Sequence, residues 1–140
     1  MKIVILGAGA VGSTLASLLC QENDLVVVDH DSSELHRLEE EADIKTLTGG
    51  ASYPNILVNA GIQEADMVVA VTGSDETNIV SCMIAKVLNK SIKTIARVRE
   101  ISYLKGKTKE AMDSGEIPVD IHISPEQLIT EHIQGLIEIP

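Results

Sequence analysis

Met1-Lys2-Ile3-Val4-Ile5-Leu6-Gly7-Ala8-Gly9-Ala10-Val11-Gly12 is the stretch that decides the fold. Ile3 to Leu6 is too short an apolar run for a helix and is rich in β-branched residues. It reads as a strand buried on both faces, the usual case in a parallel sheet. Gly7, Gly9 and Gly12 then spell G-x-G-x-x-G where strand should become helix. Gly7 lets the chain turn sharply, Gly9 leaves room for a pyrophosphate against bare backbone, and Gly12 lets the new helix lie close on the strand. A helix starting there presents free N–H groups and about half a positive charge to an anion.

Working outward, Val11, Leu15, Leu18 and Leu19 fall on one helical face, which supplies the helix that the motif needs. Leu25-Val26-Val27-Val28 is a second buried strand, and it ends in Asp29, 22 residues after Gly7. An acid at about this distance holds the ribose hydroxyls of a dinucleotide. The competing reading is a glycine-rich turn without a ligand, with Asp29 merely capping the next helix. The coincidence of strand, glycines, helix and acid outweighs it.

The bulk properties exclude several classes. At 140 residues the chain is most simply one domain, 1–140, long enough to bury a sizeable core. No signal peptide and no run of 18 apolar residues precedes or interrupts the motif, so we expect neither secretion nor membrane insertion. A net charge of −10 argues against nucleic acid and anionic membrane surfaces, and two Tyr without Phe or Trp offer no platform for stacking strands of bases. Cys20 and Cys82 lack metal-ligand spacing and read as reduced thiols in a cytosolic interior.

His30 and Asp31 follow Asp29, with Asp31 placed to cap a helix whose inner face is Leu35, Leu38 and Ala42. Asp31 serves as a cap, a ligand contact, or both; two acids at this strand end would repel a 2′-phosphate and favour NAD over NADP. Residues 43–48 read as a third strand, Gly49 to Ser52 as a loop, and Pro54 as the first position of a helix ending before Gly61. Met67 to Val71 is the fourth strand. The polar run Thr72-Gly73-Ser74-Asp75-Glu76-Thr77-Asn78 should face the same crevice as the glycine loop, or be an ordinary helix cap. The helix from Asn78 to Asn89 is apolar on most sides, so one side needs a cover beyond the sheet. A second copy of the chain or its own C-terminal helix would provide it. Residues 93–99 form a fifth strand with Arg97 and Arg99 on one face, either solvated or beside the pyrophosphate crevice. Residues 101–115 are mixed, 117–123 a sixth strand, and Ser124-Pro125 opens a last helix with a stripe of Leu128, Ile129, Ile133, Leu136 and Ile137. The sequence stops just past that stripe, and we expect a longer parent chain.

These residues together resemble the RCK domain family (regulator of potassium conductance, also called KTN). The resemblance is carried by Gly7 to Gly12, Val28 to Asp31, Gly49-Gly50-Ala51 with Pro54, Ala60-Gly61, Ala65-Asp66, Val71-Thr72 with Asp75-Glu76-Thr77-Asn78, Ala96 to Arg99, and Ile123 to Leu128. It runs the length of the chain, and the D-E-x-N and R-V-R segments are far more specific than the glycine loop. The likeness is greatest to the NAD-binding half of a cytosolic subunit of bacterial potassium uptake.

It implies an α/β, Rossmann-like, doubly wound six-stranded parallel sheet with flanking helices. It also implies a homodimer or higher ring-like oligomer beneath a potassium-translocating membrane subunit, at the inner face of the cell membrane. The expected cofactor-binding residues are Gly7, Gly9, Ala10, Val11, Gly12, Asp29, His30, Asp31, Gly50, Ala51, Thr72, Gly73, Asp75, Asn78 and Arg97. In the family, the acid matching Asp29 holds the adenosine ribose and the loop matching Gly50-Ala51 lies at the adenine. Positions matching Thr72, Asp75 and Asn78 lie toward the phosphates or second ribose, and the position of Arg97 also faces the ligand. Two positions depart from the family pattern. Ala10 lacks the polar or basic side chain of many members, which argues against a trans contact to a terminal phosphate. Gly50 replaces Asn or Asp, which removes a side-chain contact to the adenine.

The first function expected is therefore regulatory, with NAD or NADH shifting an assembly that controls potassium transport, and not enzymatic. The rival from another class is the cofactor domain of an NAD-dependent dehydrogenase, but His30, His36, His122 and His132 have no evident partner to make any of them a hydride-side acid or base. A third reading is an ADP- or ATP-sensing domain of the same fold.

Overall fold

A computed structural model describes residues 1–124 together with 133, 135 and 137. Six strands, β1 (Lys2–Leu6), β2 (Asp24–Asp29), β3 (Lys45–Thr48), β4 (Met67–Ala70), β5 (Lys93–Arg97) and β6 (Ile121–Ile123), form one sheet. Its order is β3-β2-β1-β4-β5-β6, and every pair is parallel. Helices α1 (Ala10–Leu19), α2 (Ser32–Glu41), α3 (Pro54–Asn59), α4 (Asp75–Leu88) and α5 (Gly106–Ser114) cover its faces, with 3-10 turns at 62–64 and 101–104. This is the expected Rossmann-like doubly wound sheet.

Alternation along the central strand sorts the chain into two cores. Ile3 and Ile5 point toward α1 and α2, packing with Leu15, Leu19, Leu35 and Leu38. Val4 and Leu6 point the other way, toward Leu57 of α3, Cys82 and Ala85 of α4, and Met112 of α5. The chain goes outward to β3, then returns past β1 to β4, so strand order reverses between β1 and β4. In open α/β sheets a crevice opens at the carboxyl ends of the strands where the order reverses.

Several boundaries differ from expectation for definable reasons. The helix expected from Asn78 begins at Asp75, because Ser74 Oγ accepts from the Thr77 N–H and caps it. The strand expected to reach residue 99 stops at Arg97; the Arg99 N–H donates to the Asp75 carboxylate, not to a neighbouring strand. Of residues 117–123 only Ile121–Ile123 pair with β5. Just before them the Asp120 carboxylate takes the Thr94 N–H at 2.9 Å, and Thr94 Oγ1 donates to the Pro118 carbonyl.

The helix expected to be apolar on most sides has a clear outer face. Ile79, Cys82 and Ala85 are buried, and Ile84 and Leu88 pack against the same core. Val80, Met83 and Val87 stand in solvent, at 42%, 42% and 76% exposure. Of the C-terminal region, the described Ile133 and Ile137 pack into the α1–α2 core on the opposite face of the sheet. The expected Ser124-capped helix otherwise lies outside the described residues.

Candidate functional site

A cavity of about 650 Å³ occupies the carboxyl-terminal crevice. Its walls change chemistry from one strand end to the next, following the sheet from β3 to β5.

At the end of β3, Gly50, Ala51, Ser52 and Tyr53 line it. The turn is closed by the Tyr53 N–H donating to the Gly50 carbonyl at 3.1 Å, and the loop is held to β2 by the Gly49 N–H on the Asp29 carbonyl. From behind, Ser81 Oγ of α4 donates to the Ala51 carbonyl at 3.0 Å.

At the end of β2, the Asp29 carboxylate accepts from the Ala8 N–H at 2.7 Å and, on its other oxygen, from the Asp31 N–H at 2.8 Å. Asp29 thus ties the glycine loop to its own strand end, and each oxygen retains a second lone pair for a ligand hydroxyl. His30 lines the cavity as an exposed lip, its Nδ1 3.5 Å from Asp29. Asp31 caps α2, accepting from the Ser33 N–H and Oγ, and these bonds hold its carboxyl below the usual Asp range. It does not line the cavity.

At the end of β1 the three glycines play three roles. Gly7 sits at φ +112°, the left-handed region that favours glycine. A Cβ on Gly9 would meet nothing within 4 Å, so open space lies in front of it. A Cβ on Gly12 would fall 1.8 Å from the Gly7 carbonyl oxygen but 3.6 Å from Ile5 Cγ2, so Gly12 allows α1 to close on the loop more than on the strand. Gly9 is the N-cap of α1 and provides no side-chain cap. The first-turn N–H groups, which have no partner within a helix, are therefore left to solvent or an anion beside Gly9, Ala10 and Val11.

At the ends of β4 and β5, Thr72, Gly73, Ser74, Thr77 and Arg97 complete the cavity. Arg97 is only 8% exposed, and its Nη2 donates to the Thr72 carbonyl. Asn78 is fully buried and does not reach the cavity. Its Oδ1 accepts from Thr72 N–H and Oγ1, and its Nδ2 donates to the Thr72 and Arg97 carbonyls. Asp75 also faces away, accepting from the Arg99 and Glu100 N–H groups, while Arg99 Nη2 donates to the Gly73 carbonyl. The D-E-x-N segment is thus a clamp joining the β4 and β5 loops.

Of the fifteen expected residues, eleven line the cavity; Gly12, Asp31, Asp75 and Asn78 stand behind it and shape it. Ser74 and Thr77, from the polar run expected to face the crevice, line it as well, and Val28, Ser52, Tyr53 and Val71 line it beyond the expected residues. Most adjoin a named residue in sequence. Tyr53 had no signal beyond its position three residues after Gly50.

The model of the TrkA-N domain matches residues 3–125. The chain belongs to the TrkA-N family. The resemblance to RCK domains read from the sequence is borne out. The Trk system potassium uptake protein TrkA of Halomonas elongata is 48% identical over 141 residues, covering all of this chain and 30% of that protein. The chain therefore spans about a third of the length of such curated relatives. Among solved structures, the TrkA-N domain of the inner membrane protein ybaL from Escherichia coli superposes with a TM-score of 0.74 at 21% identity, covering 98% of this chain and 96% of that one. The GsuK channel bound to NAD superposes at 0.71 with 22% identity, over 87% of this chain and 21% of that one; the same channel is also known bound to ADP, at 0.69 with 20% identity, over 87% and 30%. At these identities the structural likeness speaks for the TrkA-N fold alone. Among the described residues no helix is long and apolar enough to cross a membrane.

Proposed function

We propose that this TrkA-N domain binds NAD or NADH and belongs to a potassium uptake system, in which the nucleotide controls transport through a separate membrane subunit. The observation that carries the reading is the order of chemistry along the cavity. A carboxylate, a glycine-lined helix N-terminus, and then hydroxyls with a guanidinium succeed one another at the ends of β2, β1, β4 and β5. A dinucleotide requires that sequence: a ribose diol on Asp29, a pyrophosphate over Gly9, Ala10 and Val11, and a second nucleoside toward Thr72, Gly73 and Arg97. The open space before Gly9 fits the pyrophosphate. Gly7 and Gly12 shape the loop, Asp31 and His30 flank the ribose, and Asp75 and Asn78 hold the far wall.

Regulation needs a surface that responds. The Val80–Met83–Val87 stripe on α4, whose first turn contributes Thr77 to the cavity, is that surface, and a second copy of the chain is its simplest cover. A ligand that shifts such an assembly does so by differential affinity for its states, typically ~1–3 kcal/mol.

Parallel calorimetric titrations with NAD, NADH, NADP, ADP and ATP test the binding half. Hydrogen bonds to a charged group contribute ~1.5–3 kcal/mol. Asp29→Ala should therefore weaken NAD about 10- to 100-fold, and NADP should bind worse than NAD to the unmodified protein. Tighter binding of ADP or ATP than of either dinucleotide would replace this reading with an adenine-nucleotide sensor. Unchanged NAD affinity in Asp29→Ala would remove the ribose assignment.

A further inference from the structure

Tyr53 is the one aromatic ring of Phe, Tyr or Trp type on the cavity wall, and its placement has no evident use in folding. The residue is 60% exposed, an unfavourable position for an apolar surface unless something covers it. Its backbone is nevertheless held firmly. The N–H closes the turn onto Gly50, the carbonyl accepts from Leu57 at 3.0 Å, and Pro54 follows as the first residue of α3. The ring lies against Gly50: a Cβ at that position would approach Cε2, Cδ2 and Cγ of Tyr53 to 2.8, 2.9 and 3.1 Å. Glycine at 50 and tyrosine at 53 are thus a matched pair, the absence of one side chain making space for the ring of the other.

The ring stands at the β3 end of the cavity, the next strand outward from Asp29 and on the side away from the glycine loop. A nucleotide whose ribose is held at β2 and whose phosphates run to β1 must send its base toward β3. Val28 and Ala51, both apolar, line the cavity at the ends of β2 and β3. We propose that Tyr53 is the wall of the base subsite, a stacking face for the aromatic ring of the base, in the space that Gly50 leaves open. The inference rests on the nucleotide reading above and adds to it the residue that contacts the base. Because every purine or pyrimidine has a π-face, a stacking wall selects for an aromatic base more than for adenine's edge atoms. Inosine monophosphate should therefore bind nearly as well as AMP.

The protein has two tyrosines and no tryptophan, so its emission reports this contact directly. In a Tyr103→Phe variant all tyrosine emission comes from Tyr53. Saturating AMP should quench it, whereas nicotinamide mononucleotide, the other half of NAD, should not. In calorimetry, Tyr53→Ala should weaken both AMP and NAD by roughly tenfold or more, from the usual strength of base–aromatic stacking. Tyr53→Phe should stay within about twofold of the unmodified protein, and the unliganded melting temperature should change little in either variant. Full AMP affinity in Tyr53→Ala, with AMP still binding the unmodified protein, overturns the stacking wall and leaves the nucleotide site standing. Equal losses in Tyr53→Phe and Tyr53→Ala overturn it in favour of a hydroxyl contact. Quenching by nicotinamide mononucleotide but not AMP overturns the direction. No binding of AMP or NAD by the unmodified protein removes the nucleotide reading itself.

Discussion

Gly12→Ala adds one methyl group at a point where backbone faces backbone. The new Cβ would sit 1.8 Å from the Gly7 carbonyl oxygen and 2.8 Å from its carbon, where ordinary contact begins at 3.4 Å, so α1 and the loop must separate by about 1.6 Å. Neither partner has a flexible end to swing aside. Gly7 is held by its φ of +112° and by its N–H on the Val28 carbonyl at 2.8 Å. Overpacking typically costs ~1–3 kcal/mol, and contact with backbone puts this case at the upper end. Alanine returns about 1 kcal/mol of helix propensity. The net loss of about 2 kcal/mol, at roughly 2–4 °C per kcal/mol for a domain of this size, lowers the melting temperature by about 4–8 °C. Differential scanning calorimetry of the unliganded protein reads this directly. Gly9→Val is the control, because nothing lies within 4 Å of a Cβ there. It should keep a cooperative transition and lose the rise in Tm that NAD produces. A Gly12→Ala protein melting within a degree of the original would refute the view that α1 is closed against the loop.

Asn78→Ala should be the most damaging of the polar changes. It removes the Asn78 partners of the Thr72 N–H and the Arg97 carbonyl, each costing ~1–3 kcal/mol if left unsatisfied, so urea unfolding should show a loss of about 2 kcal/mol or more; a loss below about 1 would mean that the clamp is not needed. On α4, Val87→Glu should leave the fold intact and shift sedimentation from dimer to monomer, whereas an unmodified protein that is monomeric at micromolar concentration would end the dimer reading. Burial raises the Asp120 carboxyl, but hydrogen bonds from Thr94 and from Lys86, 3.0 Å away, outweigh it and leave the pKa below 3.8. A depressed carboxylate stabilises above its unfolded pKa and loses that contribution as pH falls through the folded one. The difference in Tm between the unmodified protein and Asp120→Asn should therefore shrink as pH drops from about 5 to about 3, and a constant difference would contradict the assignment.

The legible part of this chain was the part whose signal is local. The strand at Ile3 to Leu6, the glycines, the helix after them and Asp29 are read within thirty residues, and each is where the pattern put it. Asp75 and Asn78 were read as polar residues facing a crevice. Their work as a clamp depends on β4 lying beside β5, which joins positions some 20 residues apart. The outer face of α4 was illegible for a different reason. With apolar residues on nearly every side, periodicity gives no phase, and Ile84 and Leu88 were as eligible as Val80, Met83 and Val87 until the sheet chose between them. The C-terminal stripe has a clear phase but no assigned face in the sequence, and of its residues the described Ile133 and Ile137 pack with α1 and α2. Tyr53 escaped notice because a ring lying on a glycine three residues back leaves no periodic trace.

The two cysteines, set apart by the fold, make a timing device. Cys20 at the end of α1 is partly open to solvent, while Cys82 faces the sheet from α4 with no exposed surface, and burial with the nearby Asp120 charge pushes its thiol up to about 12. Alkylating reagents consume thiolate, so Cys20 reacts from the folded protein and Cys82 waits until α4 lifts away. The second, slower modification in a mass spectrum therefore counts how often that helix opens under native conditions. Because Thr77 places the same helix on the cavity wall, any molecule seated there would stretch the interval, and its binding could be followed without a label, a chromophore or knowledge of what it is.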